Sequence, residues 1–212
     1  MAQNPIDAIY FRAIQGKTEE QRQNIAYLFN KPAVAGGCFK SAQFMTDEEY
    51  MRRVMEKKKS LGLFAKAIEQ LGLDPETQWE IPPIELQNFI YEKEWVKQTK
   101  NGNWVSSAYQ VTWLFFTDDQ ICIYQMIFNT DENPIKDMTE EYYYQDVTAV
   151  SVRTETETST QINGTTQNVQ TTKLGLVVPG STYMIAVKDN DNAFREAVKA
   201  MRFKIKDKKS NS

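Results

Sequence analysis

The sequence contains no histidine and only two cysteines in 212 residues. Without an imidazole, the Ser-His-Asp and Cys-His nucleophilic systems and the usual general base at neutral pH are excluded. Cys38 and Cys122 lie far apart in the sequence, which favours free buried thiols in a reducing compartment over a disulfide. The composition therefore favours a protein that is not an enzyme, with no catalytic residues and no cofactor.

Long apolar runs are also missing. No stretch approaches the roughly 18 consecutive apolar residues that a membrane-spanning helix needs. The first residues, MAQNPIDAIYF, have neither a basic leader nor the apolar region of a secretory signal. We therefore expect a cytoplasmic protein.

Basic residues are scarce in the middle of the chain. Residues 84–187 contain six Lys and Arg against thirteen Asp and Glu, whereas residues 188–212 contain eight against four. A nucleic-acid-binding surface needs a basic stripe that matches the phosphates. We therefore expect no nucleic-acid partner.

Residues 1–83 have the apolar periodicity of helices. Two pairs of residues have the spacing of capping boxes, in which a side chain and a backbone N–H bond reciprocally at a helix start. These pairs are Thr18 with Gln21 and Thr46 with Glu49. Pro82-Pro83 disfavours helical angles in the preceding residue, so the pair marks the change from a helical region, 1–83, to a region of strands, 84–212.

Apolar residues alternate after these prolines. In the run WVSSAYQVTWLFF, Val111 and Phe115 fall on one face of a strand and Leu114 and Phe116 on the other, so both faces need cover. The predicted strands are 84–97, 104–116, 121–128, 142–147, 149–158, 169–178 and 183–187. The predicted turns are Asn101-Gly102, Asn163-Gly164 and Pro179-Gly180. A polar loop is predicted over 129–140.

The last segment has one apolar stripe at helical spacing. The stripe consists of Phe194, Val198, Met201 and Ile205. Lysines concentrate towards the end of this segment, where the helix dipole favours cations. The sequence therefore predicts a C-terminal helix.

Three segments carry a resemblance to a known superfold. They are TWLFFTDDQICIYQMIF, the strand EYYYQDVTAVSV, and GLVVPGSTYMIAVKD running into the last helix. Their order resembles the pleckstrin-homology-like superfold, and Tyr144–Val150 resembles the fourth-strand motif of its bacterial members. The resemblance covers about 84–208 and leaves the N-terminal helices unassigned. It implies an α+β fold: a helical region, then a seven-stranded antiparallel barrel or sandwich with a C-terminal capping helix.

The lipid-binding branch of this superfold implies a basic cluster in the first hairpin. Lys93, Lys97 and Lys100 can supply the first part of such a cluster, but residues 103–110 contain no Lys or Arg. Trp95 and Trp104 flank the turn and would be the surface anchors if exposed. These five residues form our candidate binding site, and peripheral binding to an anionic membrane is the alternative function that they imply.

Two polar segments suggest other sites. Six residues have the spacing of a calcium loop, but Pro134 stands where such a loop needs a glycine, so we expect no metal site. The six are Asn129, Asp131, Asn133, Ile135, Asp137 and Glu140. Residues 154–172 are rich in Thr, Gln and Asn, and they predict either a soluble sheet edge or a partner-binding edge, as in phosphotyrosine-binding relatives of the superfold.

The hypothesis that these features favour is a non-catalytic interaction or adaptor protein with an unknown protein partner. A carboxylate-based enzyme is a third hypothesis. It predicts a concave pocket that holds at least two acids with shifted pKa values.

Overall fold

The helices and strands come from a computed structural model that describes residues 5–33, 42–76, 79–133, 135–161, 166–188 and 192–210. These residues form five helices and nine strands in an α+β arrangement. The helices are α1 (Pro5–Ala13), α2 (Glu19–Leu28), α3 (Asp47–Ser60), α4 (Leu63–Gln70) and α5 (Asn192–Ser210). The strands are β1 (Ile84–Ile90), β2 (Trp95–Gln98), β3 (Trp104–Ser106), β4 (Ala108–Phe116), β5 (Gln120–Asn129), β6 (Ile135–Tyr143), β7 (Ala149–Gln161), β8 (Thr166–Val178) and β9 (Ser181–Val187).

Both predicted capping pairs stand at helix starts. Thr18 and Gln21 form the complete box, with bonds of 3.3 Å from the Gln21 N–H and 3.0 Å to the Gln21 side chain. Thr46 accepts from the Glu49 N–H at 3.1 Å. The Glu49 carboxylate instead lies 3.3 Å from Arg53, so α3 has the threonine cap without the return bond.

The described strands form two sheets. One is antiparallel with the order β1-β4-β5-β6; the other has the order β3-β2-β7-β8-β9 and contains one parallel pair, β2 with β7. β1 and β9 face each other at the edges of the two sheets, where the Asn88 side chain donates to the Val187 carbonyl at 2.9 Å. The sheets are not closed into one barrel by a backbone ladder there.

The two strands predicted for the first hairpin, 84–97 and 104–116, are each interrupted in the structure. Their outer halves, β1 and β4, belong to one sheet, and their inner halves, β2 and β3, belong to the other. β1 pairs with β4, and β2 pairs with β3. The division occurs at Lys93, which has a positive φ of 62°, and opposite it at Ser107. Ser107 Oγ donates to Glu94 at 2.6 Å and accepts from the Trp95 N–H at 3.3 Å, which holds the two bends together.

The predicted fourth strand and the polar loop before it are wrong. The strand is β6, which begins at Ile135, and residues 144–146 form a turn. β6 is an edge strand whose residues are all exposed or half-buried, so its sequence lacks the apolar alternation that marks a strand. Ile135, Asp137 and Glu140 therefore lie on a strand and not in a calcium loop.

The turns at Asn101-Gly102 and Pro179-Gly180 are confirmed, and both glycines have a φ of 83°, which favours glycine. The predicted turn at Asn163-Gly164 lies outside the described residues, as does Cys38. Cys122 is buried and free.

β4 and β5 have a hydrophobic core on each face, as their double alternation predicts. The first core holds Val111 and Phe115 and is covered by the N-terminal helices through residues such as Leu28 and Val54. The second core lies between the two sheets and holds Phe116. The helical region and the strands therefore share the first core.

α5 packs its predicted apolar stripe over the second core. Met201 is fully buried, and Phe194, Val198 and Ile205 are half-buried against the same cluster. Lys204 is also buried and forms an ion pair with Glu80. The stripe prediction is confirmed, while one of the lysines near the helix end is part of the packing.

Candidate binding groove

The structure places two of the five candidate residues beneath α2. Trp95 packs edge-on against Phe29, with 5.0 Å between ring centroids. Lys97 Nζ lies 3.7 Å from the centroid of the Tyr27 ring and donates to the Tyr27 carbonyl at 3.1 Å. Burial lowers the pKa of Lys97, partly offset by the charge of Asp47. These contacts attach α2 to β2.

The other three candidates lie at different points of the same hairpin. The Lys93 side chain is 87% exposed and lies 3.7 Å from the Glu92 carboxylate. Lys100 is exposed, and its backbone N–H donates to Asp47 at 2.9 Å. Trp104 is half-buried and lines a groove beside the hairpin. The five residues are thus not brought together on one surface.

The groove has a volume of about 830 Å³, within the range of roughly 300–1,000 Å³ that is common for ligand-binding clefts. α3 forms one wall and the 99–105 turn region forms another. Residues 87–89 of β1, Tyr91 just after it, and residues 169–172 of β8 form the remaining sides, together with the end of β9. Helical and strand regions both contribute to it.

The groove is open because β9 is shorter than β8, the strand that it pairs with. β8 has thirteen residues and β9 has seven, and the ladder between them ends where Thr172 pairs with Val187. Within the described part of the chain, residues 168–171 of β8 pair with β7 on one side and with no strand on the other. The groove lies at this end of β8.

The walls combine apolar surface with side-chain amides. Met51 and Met55 face the groove from α3, and Trp104 and Tyr109 line it from β3 and β4. The amide-bearing residues that line it include Gln87, Asn101, Asn103 and Gln170. Its charged lining residues are Asp47, Glu48 and Lys188, and the ammonium groups of Lys97 and Lys100 lie near the Asp47 carboxylate.

Thr171 is the one buried side chain of this groove whose polar atom has no partner within the described structure. It is 3% exposed, and its Oγ1 makes no hydrogen bond. Its polar neighbours are engaged: Lys173 lies 3.0 Å from both Glu155 and Glu157. Glu157 also accepts from the Tyr91 N–H at 2.9 Å. A buried hydroxyl without a partner is costly unless a ligand supplies one.

Two acidic residues outside this groove, Glu94 and Asp131, have raised pKa values. Burial raises the pKa of Glu94, although its carboxylate accepts from Ser107 and Asn129. Burial, with the charges of Glu132 and Glu94, raises the pKa of Asp131 to about 6. Glu94 lines a cavity of about 230 Å³, and Asp131 does not. The third hypothesis requires the two acids in one pocket, and this cavity does not provide that arrangement.

Within the described ranges, no group of three or more acidic or cysteine side chains is placed to hold a metal ion. None of the described helices combines the length and the apolarity that crossing a membrane requires. No family model, curated protein or solved structure matches the chain.

The sequence indicated part of this groove. The segment 154–172 was a candidate partner-binding edge, and residues 169–172 line the groove. Met51 and Met55 carried no such signal, because two methionines at helical spacing look like residues of an ordinary core.

Proposed function

We propose that the chain is a non-catalytic interaction protein built on a pleckstrin-homology-like module, and that it binds a protein partner in the groove between α3, β1 and β8. The observation that carries this proposal is the groove itself. Its walls combine apolar side chains with amides, and residues 168–171 of β8 beside it pair with no described strand on the side away from β7, a combination that protein recognition uses.

The order of the strands supports the assignment of a pleckstrin-homology-like module. Counting β1 with β2 and β3 with β4 gives seven strands before the final helix, which is the number in the pleckstrin-homology-like superfold. The packing of α5 over the core between the sheets agrees with the capping helix of that superfold.

Binding to an anionic membrane through the first hairpin has weaker support. It needs Trp95 and Lys97 at the surface, and both are held against α2. Lys93 and Lys100 are the candidate cations that stay exposed. Residues 84–187 are acidic in total, which opposes attraction to an anionic surface.

An affinity purification from the native cell, read by mass spectrometry, tests the proposal. The baits are the wild-type chain, Asn103→Arg, which places a long side chain at the groove, and Gln145→Arg, which makes the same change at an exposed turn away from it. We expect at least one protein to be recovered with wild type and Gln145→Arg and lost with Asn103→Arg. Equal recovery by all three baits would contradict the proposal, as would recovery of no protein.

A further inference from the structure

We infer that the exposed side of α5 is a second interaction surface, and that it binds the surface of an anionic lipid bilayer. This surface is separate from the groove and from the first hairpin, and no described residue of α5 lines the groove or the smaller cavity beside Glu94. Two observations carry the inference: a row of cations without ion pairs, and an exposed aromatic ring beside that row.

The cations form one straight row along the helix. Four exposed basic side chains follow one another at intervals of three, four and three residues, which keeps them on one side of α5. They are Lys199, Arg202, Lys206 and Lys209. With a rise of about 1.5 Å per residue, the row is about 15 Å long. None of the four forms an ion pair within the described part of the chain. Such a row can approach a flat surface along its whole length.

The helix dipole explains only the end of this row. Its effect is confined to the last turn of a helix. The basic residues in the last turn of α5 are Lys208 and Lys209. Lys199, Arg202 and Lys206 lie before that turn, so the dipole does not account for their positions.

Phe203 adds an apolar group to the same side of the helix. Its ring is 56% exposed, and it is one turn away from both Lys199 and Lys206. Transfer of this ring from water into the layer below lipid headgroups is favourable, while long cationic side chains stay at the level of the headgroups. This combination favours a bilayer over a soluble polyanion, because the bilayer supplies both an anionic surface and an apolar layer beneath it.

The acids of α5 leave the later part of the helix positive. Residues 199–209 contain six Lys and Arg and one acid, Asp207, which already has an interaction. The other acids on the helix or just before it in the sequence precede this part of the chain. They are Asp189, Asp191 and Glu196.

The acids on neighbouring elements have partners of their own. α5 packs against β1 and β7. Lys58 pairs with Glu85 of β1, and Lys173 pairs with both acids of β7, Glu155 and Glu157. Glu80 pairs with the buried Lys204. At physiological salt, charges farther than about 8 Å from the bilayer are largely screened, so more distant acids oppose binding weakly.

Co-sedimentation of the full chain with lipid vesicles tests the inference. One vesicle contains phosphatidylcholine with about 30% phosphatidylserine, and the other contains phosphatidylcholine alone. We expect the chain to sediment with the first vesicle at low salt and not with the second. Salt at about 0.5 M should release most of the bound chain, because it shortens the range of charge interactions. Equal binding to both vesicles, or binding to neither, would overturn the inference.

A pair of double variants locates the surface. Lys199→Gln with Lys206→Gln should weaken binding to the anionic vesicle by about tenfold or more, because both cations lie in the row. The matched control is Lys93→Gln with Lys100→Gln, which removes two exposed cations from the first hairpin. The control should change binding by less than about twofold. An equal loss in the two double variants would overturn the assignment to α5.

Phe203→Ala tests the apolar contact. It should weaken binding to the anionic vesicle by about threefold to tenfold, because the ring no longer enters the bilayer. The salt dependence should stay the same, since no charge is removed. Unchanged affinity would overturn the role of the ring.

Labelled polyglutamate and a labelled DNA duplex, measured by fluorescence anisotropy, provide the outcomes for other anionic partners. If either binds in a manner that depends on Lys199 and Lys206 while neither vesicle binds, the row recognises a soluble polyanion and the bilayer inference is wrong. None of these results bears on the groove, which the Asn103→Arg bait tests separately.

Discussion

Phe115 and Phe116 are neighbours in sequence whose rings lie in different cores. Phe115 is buried beneath the N-terminal helices, and Phe116 is buried between the sheets. Alternation along β4 was enough to predict this separation, because successive strand side chains point to opposite faces.

Phe116→Ala should lower the free energy of unfolding by about 3–5 kcal/mol, because it leaves a cavity in the second core. Urea denaturation of the full chain measures the loss. Phe203→Ala is the matched control: this ring is 56% exposed, and its removal should cost no more than about 0.5 kcal/mol. A loss below about 1 kcal/mol for Phe116→Ala would contradict its place in the core.

Asp131 is a buried acid that the sequence did not single out as a buried group. Its Oδ1 has no partner within the described structure, and burial raises the pKa of its carboxyl to about 6. An unfolded aspartate has a pKa of about 3.9. The folded chain therefore keeps a proton that the unfolded chain loses between about pH 4 and 6, and stability falls as the pH rises through that range.

Asp131→Asn should be more stable than wild type at pH 7, by about 1–3 kcal/mol, because asparagine removes the cost of a buried charge. The advantage should shrink as the pH approaches 4. Urea denaturation at pH 4, 5, 6 and 7 measures it, and Asp146→Asn, at an exposed position, serves as the control. An advantage that is independent of pH would show that the charge is not its source.

At the scale of elements, the sequence predicted those features that depend only on residues close together in the chain. The capping pair at Thr18 and Gln21, two glycine turns and the stripe of α5 are all short-range patterns. β6 could not be found in this way, because an exposed edge strand needs no apolar alternation. The bends at Lys93 and Ser107 interrupt otherwise continuous alternation, and the pairing of distant strands decides where they fall.

The ion pair between Lys204 and Glu80 attaches α5 to the segment before β1, and its two partners should respond differently. Glu80 is 62% exposed, whereas Lys204 is buried. Glu80→Gln should cost about 1–3 kcal/mol, since it leaves a buried ammonium without its counter-charge. Lys204→Met should change stability by less than about 1 kcal/mol, since it removes the charge and keeps the packing.

Thermal unfolding of both variants measures this difference. The double variant Glu80→Gln with Lys204→Met should recover most of the loss, because no unpaired charge is left in the packing. If Lys204→Met costs more than Glu80→Gln, the ion pair contributes more than its desolvation, and the prediction is wrong.

At the scale of the whole molecule, the helices and the strands are one packing unit. Tyr50 illustrates the contact: its ring stacks on Tyr27, and its hydroxyl donates to the Ser106 carbonyl at 2.7 Å. Lys57 donates to the Asn129 carbonyl at 2.5 Å from the same helix. Sequence alone predicted that the outer face of the strands needs cover, but it did not specify which helix provides it.

The groove depends on this docking, and for that reason it could not be predicted from the sequence as a site. Met51, Asn103 and Thr171 are far apart in the chain. They line one opening because α3 lies beside β1, where Lys58 bonds to Glu85 and Gln87, and because β9 ends early. The polar composition of 154–172 indicated one side of the groove and the candidate Trp104 indicated a second, but the sequence contained no signal for the wall that α3 provides.

The most direct test of the account observes the methionine methyl groups by NMR. The full chain, labelled with ¹³C at these methyl groups, is titrated with a protein partner recovered in the affinity purification. We predict shifts at Met51 and Met55, which line the groove, and none at Met138 on β6 or at Met201, a buried residue of α5. Shifts at Met138 or Met201 with none at Met51 and Met55 would contradict the claim that this groove is the binding site.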